Sequence, residues 1–101
     1  MCEILRRLRE LPAAVAVGGP LVTVSERTFD GLCDVRFIGE AEETWPAFMS
    51  ALAEGAQTEA RYEQSEKTDM TKVPVPRFDL LKRGAYDTAP VQFSRGCPFL
   101  C

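Results

Sequence analysis

Histidine is missing from all 101 residues. No imidazole base, Ser–His or Cys–His pair, or histidine metal ligand can therefore come from this chain. A basic stripe is missing as well. Lys and Arg number 12 against 15 Asp and Glu, intermingled along the sequence, for a formal net charge of -3. That removes the electrostatic footprint of a nucleic-acid binder. No apolar run approaches the roughly 20 residues of a membrane span. The opening MCEILRRLRE has no apolar signal core and nothing else that marks it for export. The few cysteines, unevenly placed at 2, 33, 97 and 101, then read as reduced thiols of a cytosolic protein rather than as a disulfide framework. Internal repeats and low-complexity tracts are absent too.

What remains is ordinary for a soluble globular chain, 46% hydrophobic and 27% charged, at the size of one domain. Ile4, Leu5, Leu8 and Leu11 recur at helical spacing with Arg6, Arg7, Arg9 and Glu10 between them, and Pro12 stops that helix. AVAV at 14–17 is a short apolar run ending at Gly18-Gly19-Pro20, which predicts a strand buried on both faces, as in a parallel sheet. Ser25 to Arg27 can open a short helix before Gly31. Val35 to Ile38 predicts a second strand, ending at Gly39-Glu40. From Ala41 to Glu54, Trp45, Phe48, Met49 and Leu52 make an apolar helical stripe, with Pro46 near the first turn and Gly55 as the C-terminal cap. Helix, strand, short helix, strand, helix in this order argues an α/β fold with a parallel sheet, residues 13–17 and 35–38 lying side by side.

Composition changes after residue 56. Residues 57–72 are polar, with a short strand expected at Ala60 to Glu63. Val73-Pro74-Val75-Pro76 is held extended by its prolines. Phe78 to Leu81 can make one helical turn closed by Gly84, and APVQFS at 89–94 predicts a strand running into RGCPFLC. The expected organisation is one domain over 1–56, a connector over 57–77, and a second domain beginning at 78.

Three places can carry chemistry. Gly18-Gly19-Pro20 follows a strand directly, and paired glycines there let a ligand reach the backbone with no Cβ in the way. In open α/β sheets that carboxyl edge is where ligands bind. Gly39-Glu40 follows the next strand at the same edge, with its acids at a helix start where the macrodipole favours negative charge. Taken singly, the first reads as a tight turn and the second as helix capping; two such loops at one edge point to a ligand crevice. Cys97 and Cys101 are spaced C-x-x-x-C, which lets two thiolates converge on one metal centre. A buried thiol pair, a zinc half-site and a redox pair fit the same two residues. Cys2 and Cys33 read as structural, and Trp45 as core.

AVAVGGPLVT, CDVRFIGEAEET, VPVPRFDLL and VQFSRGCPFLC, in this order and at these separations, resemble the cobalamin-binding radical S-adenosylmethionine proteins over nearly the whole chain. The resemblance implies a partial doubly wound, Rossmann-like sheet from a cobalamin-binding domain, then a connector, then the first strand of a catalytic barrel. It implies that Gly18, Gly19 and Pro20 lie against the nucleotide tail of cobalamin, with Gly39 and Glu40 lining the same crevice. It implies that Cys97 and Cys101 each hold one iron of a 4Fe-4S cluster, as the first two cysteines of C-x-x-x-C-x-x-C. A third cysteine of that motif would fall three residues past Cys101, and S-adenosylmethionine would chelate the last iron. Cleavage of that molecule gives a radical that abstracts hydrogen from a small-molecule substrate, and many family members then move a methyl group through cobalamin. A reductant protein is the implied partner.

The chain is accordingly expected to be a fragment, lacking the first half of the cobalamin domain and most of the barrel, and inactive alone. A non-enzymatic α/β binding module with an incidental or redox-active Cys pair, and a zinc-assisted oligomer sharing Cys97 and Cys101, are the competing readings.

Overall fold

The computed structural model describes residues 1–82, 84–88 and 90–96. They fall into two bodies, Met1–Glu66 and a second that starts at Lys67.

The first body is a three-stranded parallel sheet with helices packed on both faces. Its elements are α1 (Cys2–Leu8), β1 (Ala16–Val17), α2 (Pro20–Val24), a 3-10 turn (Glu26–Phe29), β2 (Val35–Gly39), α3 (Thr44–Ala53) and β3 (Arg61–Gln64). Strand order is β1-β2-β3, with Ala16 opposite Val35 and Phe37 opposite Tyr62. The expected parallel pairing of the first two strands is present, and residues 61–64, within the polar stretch, add the third.

β2 is the shared strand. Its Val, Phe and Ile residues suit a pleated, buried surface, and consecutive side chains point to opposite faces. Ile38 joins Leu5, Val15, Val22 and Phe29 in one apolar cluster, with Phe29 and Val22 fully buried. Val35 and Phe37 join Phe48 in the other, with Tyr62 packed against it. In that second cluster the Phe37 ring stacks on Tyr62 at 5.2 Å and meets Phe48 nearly edge-on at 5.4 Å.

Several expectations are corrected. β1 is shorter than 13–17, because Ala13 turns back to the Leu11 carbonyl and the Val15 N–H is taken by the Asp34 carboxylate. It is also not buried on both faces: Val15 is buried, while Ala16 is exposed. α1 stops at Leu8, and of its expected stripe only Leu5 is buried. Trp45 is half-exposed at 46%, not core, although its ring lies 5.3 Å from Phe37. Gly18-Gly19-Pro20 is not simply a turn, since Pro20 starts α2, the first-turn site where its missing N–H costs no bond. The end of α3 follows its expected cap closely. Gly55 sits at φ +66°, its N–H donates to Leu52 O, and the Ala56 N–H donates to Ala51 O, closing a Schellman motif.

In the second body, Phe78–Leu80 forms a single 3-10 turn, and Arg77 grips Asp79 through two bonds of 2.8 and 2.7 Å. Met70, Val73, Pro74, Phe78, Pro90 and Val91 line an open cleft of about 700 Å³. Residues 90–94 form no strand. A strand is held by a ladder partner, and none pairs with this segment among the described residues. Ala89, the first residue of the expected strand, lies outside the described residues.

Candidate functional site

Because β1 and β2 run parallel and adjacent, their carboxyl ends lie together. Gly18-Gly19-Pro20 leaves one and Gly39-Glu40 leaves the other, so the sheet brings five of the expected site residues to one edge. Gly18, Gly19, Pro20 and Gly39 are exposed, and Glu40 is half-buried.

The glycines there have different reasons. A Cβ on Gly18 would stand 3.2 Å from the Phe37 Cβ, so this residue lets β1 close against β2. Gly19 has φ +102°, and a Cβ there would meet nothing within 4 Å. Its backbone is therefore bare toward open space, as a ligand-contacting loop requires. Gly39 has φ +79°, and a Cβ there would collide with the Gln64 carbonyl oxygen of β3.

Two side chains that sequence reasoning did not single out hold these loops. The Thr23 hydroxyl on α2 donates to Gly19 O at 3.1 Å and accepts the Gly39 N–H at 3.0 Å. Thr bonding back to a carbonyl four residues earlier is a recognisable pattern, but its second partner lies 16 residues ahead and carries no local signal. Gln64, buried at the end of β3, accepts the Glu43 N–H at 3.1 Å and donates to Glu66 O at 3.3 Å. It thereby fixes the start of α3. At that start the Thr44 hydroxyl is buried and has no hydrogen-bond partner among the described residues.

Within Met1–Glu66 the shifted pKa values belong to groups away from this edge. At the amino end of β2, the Asp34 carboxyl is held below its ordinary value, chiefly by the Val15 N–H and then by Arg9. Burial pushes the Cys33 thiol up, and its Sγ lies 3.6 Å from Phe29 O. Arg61 is held more firmly protonated by Glu26 and Glu63. Cys2 and Cys33 are both half-buried free thiols. Cys97 and Cys101 lie outside the described residues. Among the described residues no three metal-ligating side chains come together, and no helix is long and apolar enough to cross a membrane.

Two loops meet at the carboxyl edge of this parallel sheet, the edge at which open α/β folds commonly bind ligands. Compared with known proteins, the whole chain aligns with an uncharacterized methyltransferase of Synechocystis sp., 42% identical over 102 residues and covering 19% of that protein. It also aligns with the hopanoid C-2 methylase of Rhodopseudomonas palustris, 27% identical over 104 residues and covering 20% of it. The chain spans about a fifth of the length of these curated relatives. No family model and no solved structure matches it.

Proposed function

We propose that this chain is the junction of a cobalamin-dependent radical S-adenosylmethionine enzyme that transfers methyl groups. In this reading Met1–Glu66 supplies part of the cobalamin crevice, and Cys97 and Cys101 supply two ligands of a 4Fe-4S cluster. The observation that carries it is the meeting of Gly18-Gly19-Pro20 and Gly39-Glu40 at one parallel-sheet edge. The relatives, an uncharacterized methyltransferase and a methylase, support the methyl-transfer part.

The residues fit the proposed groups by their chemistry. Gly19 offers backbone without a side chain toward open space, which suits the close approach of a bulky cofactor tail. Cys97 and Cys101 offer thiolates, the ligands of iron–sulfur clusters. When bound, the cluster with S-adenosylmethionine supplies radical chemistry and cobalamin supplies methyl transfer. The chain's own part is to orient the cofactor tail through the two loops, with Thr23 and Gln64 keeping them in place.

Anaerobic reconstitution with iron and sulfide tests the reading. Two polypeptides are compared: residues 1–101, and the same chain lengthened to place a cysteine three residues after Cys101. The lengthened chain should hold about four irons with visible charge-transfer absorption, and the shorter one should not, because it has two of three thiolate ligands. Four irons on the 101-residue chain would overturn the ligand count, and none on the lengthened chain would overturn the family reading.

A further inference from the structure

The Thr23 hydroxyl sits between the two loops and bonds to both. It donates its proton to Gly19 O and receives the Gly39 N–H, while the Thr23 backbone N–H also donates to Gly19 O at 3.1 Å. The chain Gly39 N–H to Oγ1 to Gly19 C=O leaves the hydroxyl's proton and one lone pair both used. It spans β1's exit and β2's exit at the carboxyl edge of the sheet. Each end is a glycine at positive φ, so neither of the two bonded residues has a side chain of its own to hold it.

We propose that Thr23 is a positioning residue. Its hydroxyl relay sets the separation of the Gly18-Gly19-Pro20 and Gly39-Glu40 loops, and through it the affinity for the cofactor tail. The affinity part rests on the proposed cobalamin reading; the relay itself does not. Loss of the Gly39 bond unties the end of the central strand from α2, and loss of the Gly19 bond unties the hydroxyl from β1's exit; in both cases the loop following Gly39 can drift from Gly19. Valine matches threonine in shape and removes the relay, whereas serine retains it.

The test compares Thr23→Val and Thr23→Ser in the 101-residue chain by amide hydrogen exchange, and in a polypeptide extended to the relatives' length by equilibrium dialysis of hydroxocobalamin. In T23V the Gly39 amide should exchange about tenfold faster, while the Arg36 amide, bonded to Ala60 O at 3.0 Å, keeps its protection. T23S should leave both as they are. Dissociation constants should rise about fivefold in T23V and stay within about twofold in T23S, the scale of one ordinary hydrogen bond. Unchanged Gly39 protection in T23V would overturn the relay. Lost protection with unchanged cobalamin affinity would overturn the positioning role. A wild-type chain that binds no cobalamin would overturn the cobalamin reading, and the affinity claim with it, leaving the relay to the exchange data.

Discussion

Gly39→Ala is the sharpest perturbation of the sheet edge. Two separate costs arise there. The residue has φ +79°, and an L-residue held in left-handed conformation loses roughly 1–2 kcal/mol. The added Cβ also meets the Gln64 carbonyl, a backbone atom in the neighbouring strand that cannot rotate away. Forcing such an overpacked contact costs about 1–3 kcal/mol, so the sum is about 2–5 kcal/mol. A body the size of Met1–Glu66 has only roughly 3–10 kcal/mol to lose at ordinary per-residue stability. Gly55→Ala separates the two costs. Gly55 is also at positive φ, +66°, but a Cβ there meets nothing within 4 Å. G55A should therefore lose only about 1–2 kcal/mol. Urea unfolding followed by Trp45 fluorescence reads both, since Trp45 packs 5.3 Å from Phe37 and 5.6 Å from Phe48. Equal midpoints for G39A and G55A would refute the contact argument. A G39A chain within about 0.5 kcal/mol of wild type would refute the strain argument too.

Phe48→Ala empties the centre of the aromatic cluster and should cost about 3–5 kcal/mol in the same unfolding assay; a loss below about 1 kcal/mol would mean the cluster is not a packed core. Asp34→Ala should destabilise the chain at neutral pH. The depressed Asp34 pKa means its stabilisation is present above the ordinary carboxylate range and fades as pH falls through the lower folded value. Urea midpoints of the two chains should therefore converge on acidification, and a gap that widens would contradict the sign. Cys33, its thiol pushed up by burial, should be alkylated by iodoacetamide with a rate–pH profile displaced upward from that of free cysteine; a profile at or below it would count against burial as the cause.

Periodicity made the sheet and α3 legible, because AVAV, VRFI and the Trp45–Leu52 stripe are local signals. It could not show which apolar residues end up covered. Ile4, Leu8 and Leu11 keep helical or near-helical spacing yet stay exposed, since burial depends on which elements come to pack against that face. β3 was legible only as a short polar strand. Its place is set by the ladder to β2 and by partners distant in sequence, Phe37 for Tyr62 and Glu43 for Gln64, while three of its four side chains are charged or amide. The site's glycines could be read because positive φ and close approach demand glycine. Thr23 and Gln64 could not, because their partners Gly39 and Glu43 are distant in sequence. The 90–94 segment carried strand composition without a strand, since β propensity does nothing without a neighbour to pair with.

The two apolar clusters lean on consecutive residues of one strand, Phe37 inward to one and Ile38 to the other. A fluctuation that lifts β2 from its neighbours strips the covering from both faces together, so opening at this one strand exposes both clusters at once. Insertion of a single residue within Val35–Gly39 would be correspondingly severe, because it would exchange the two faces and send the Phe37 ring toward the space shaped for Ile38. The connections outside that strand carry no such parity, and it is there that chain length can drift while the edge stays assembled.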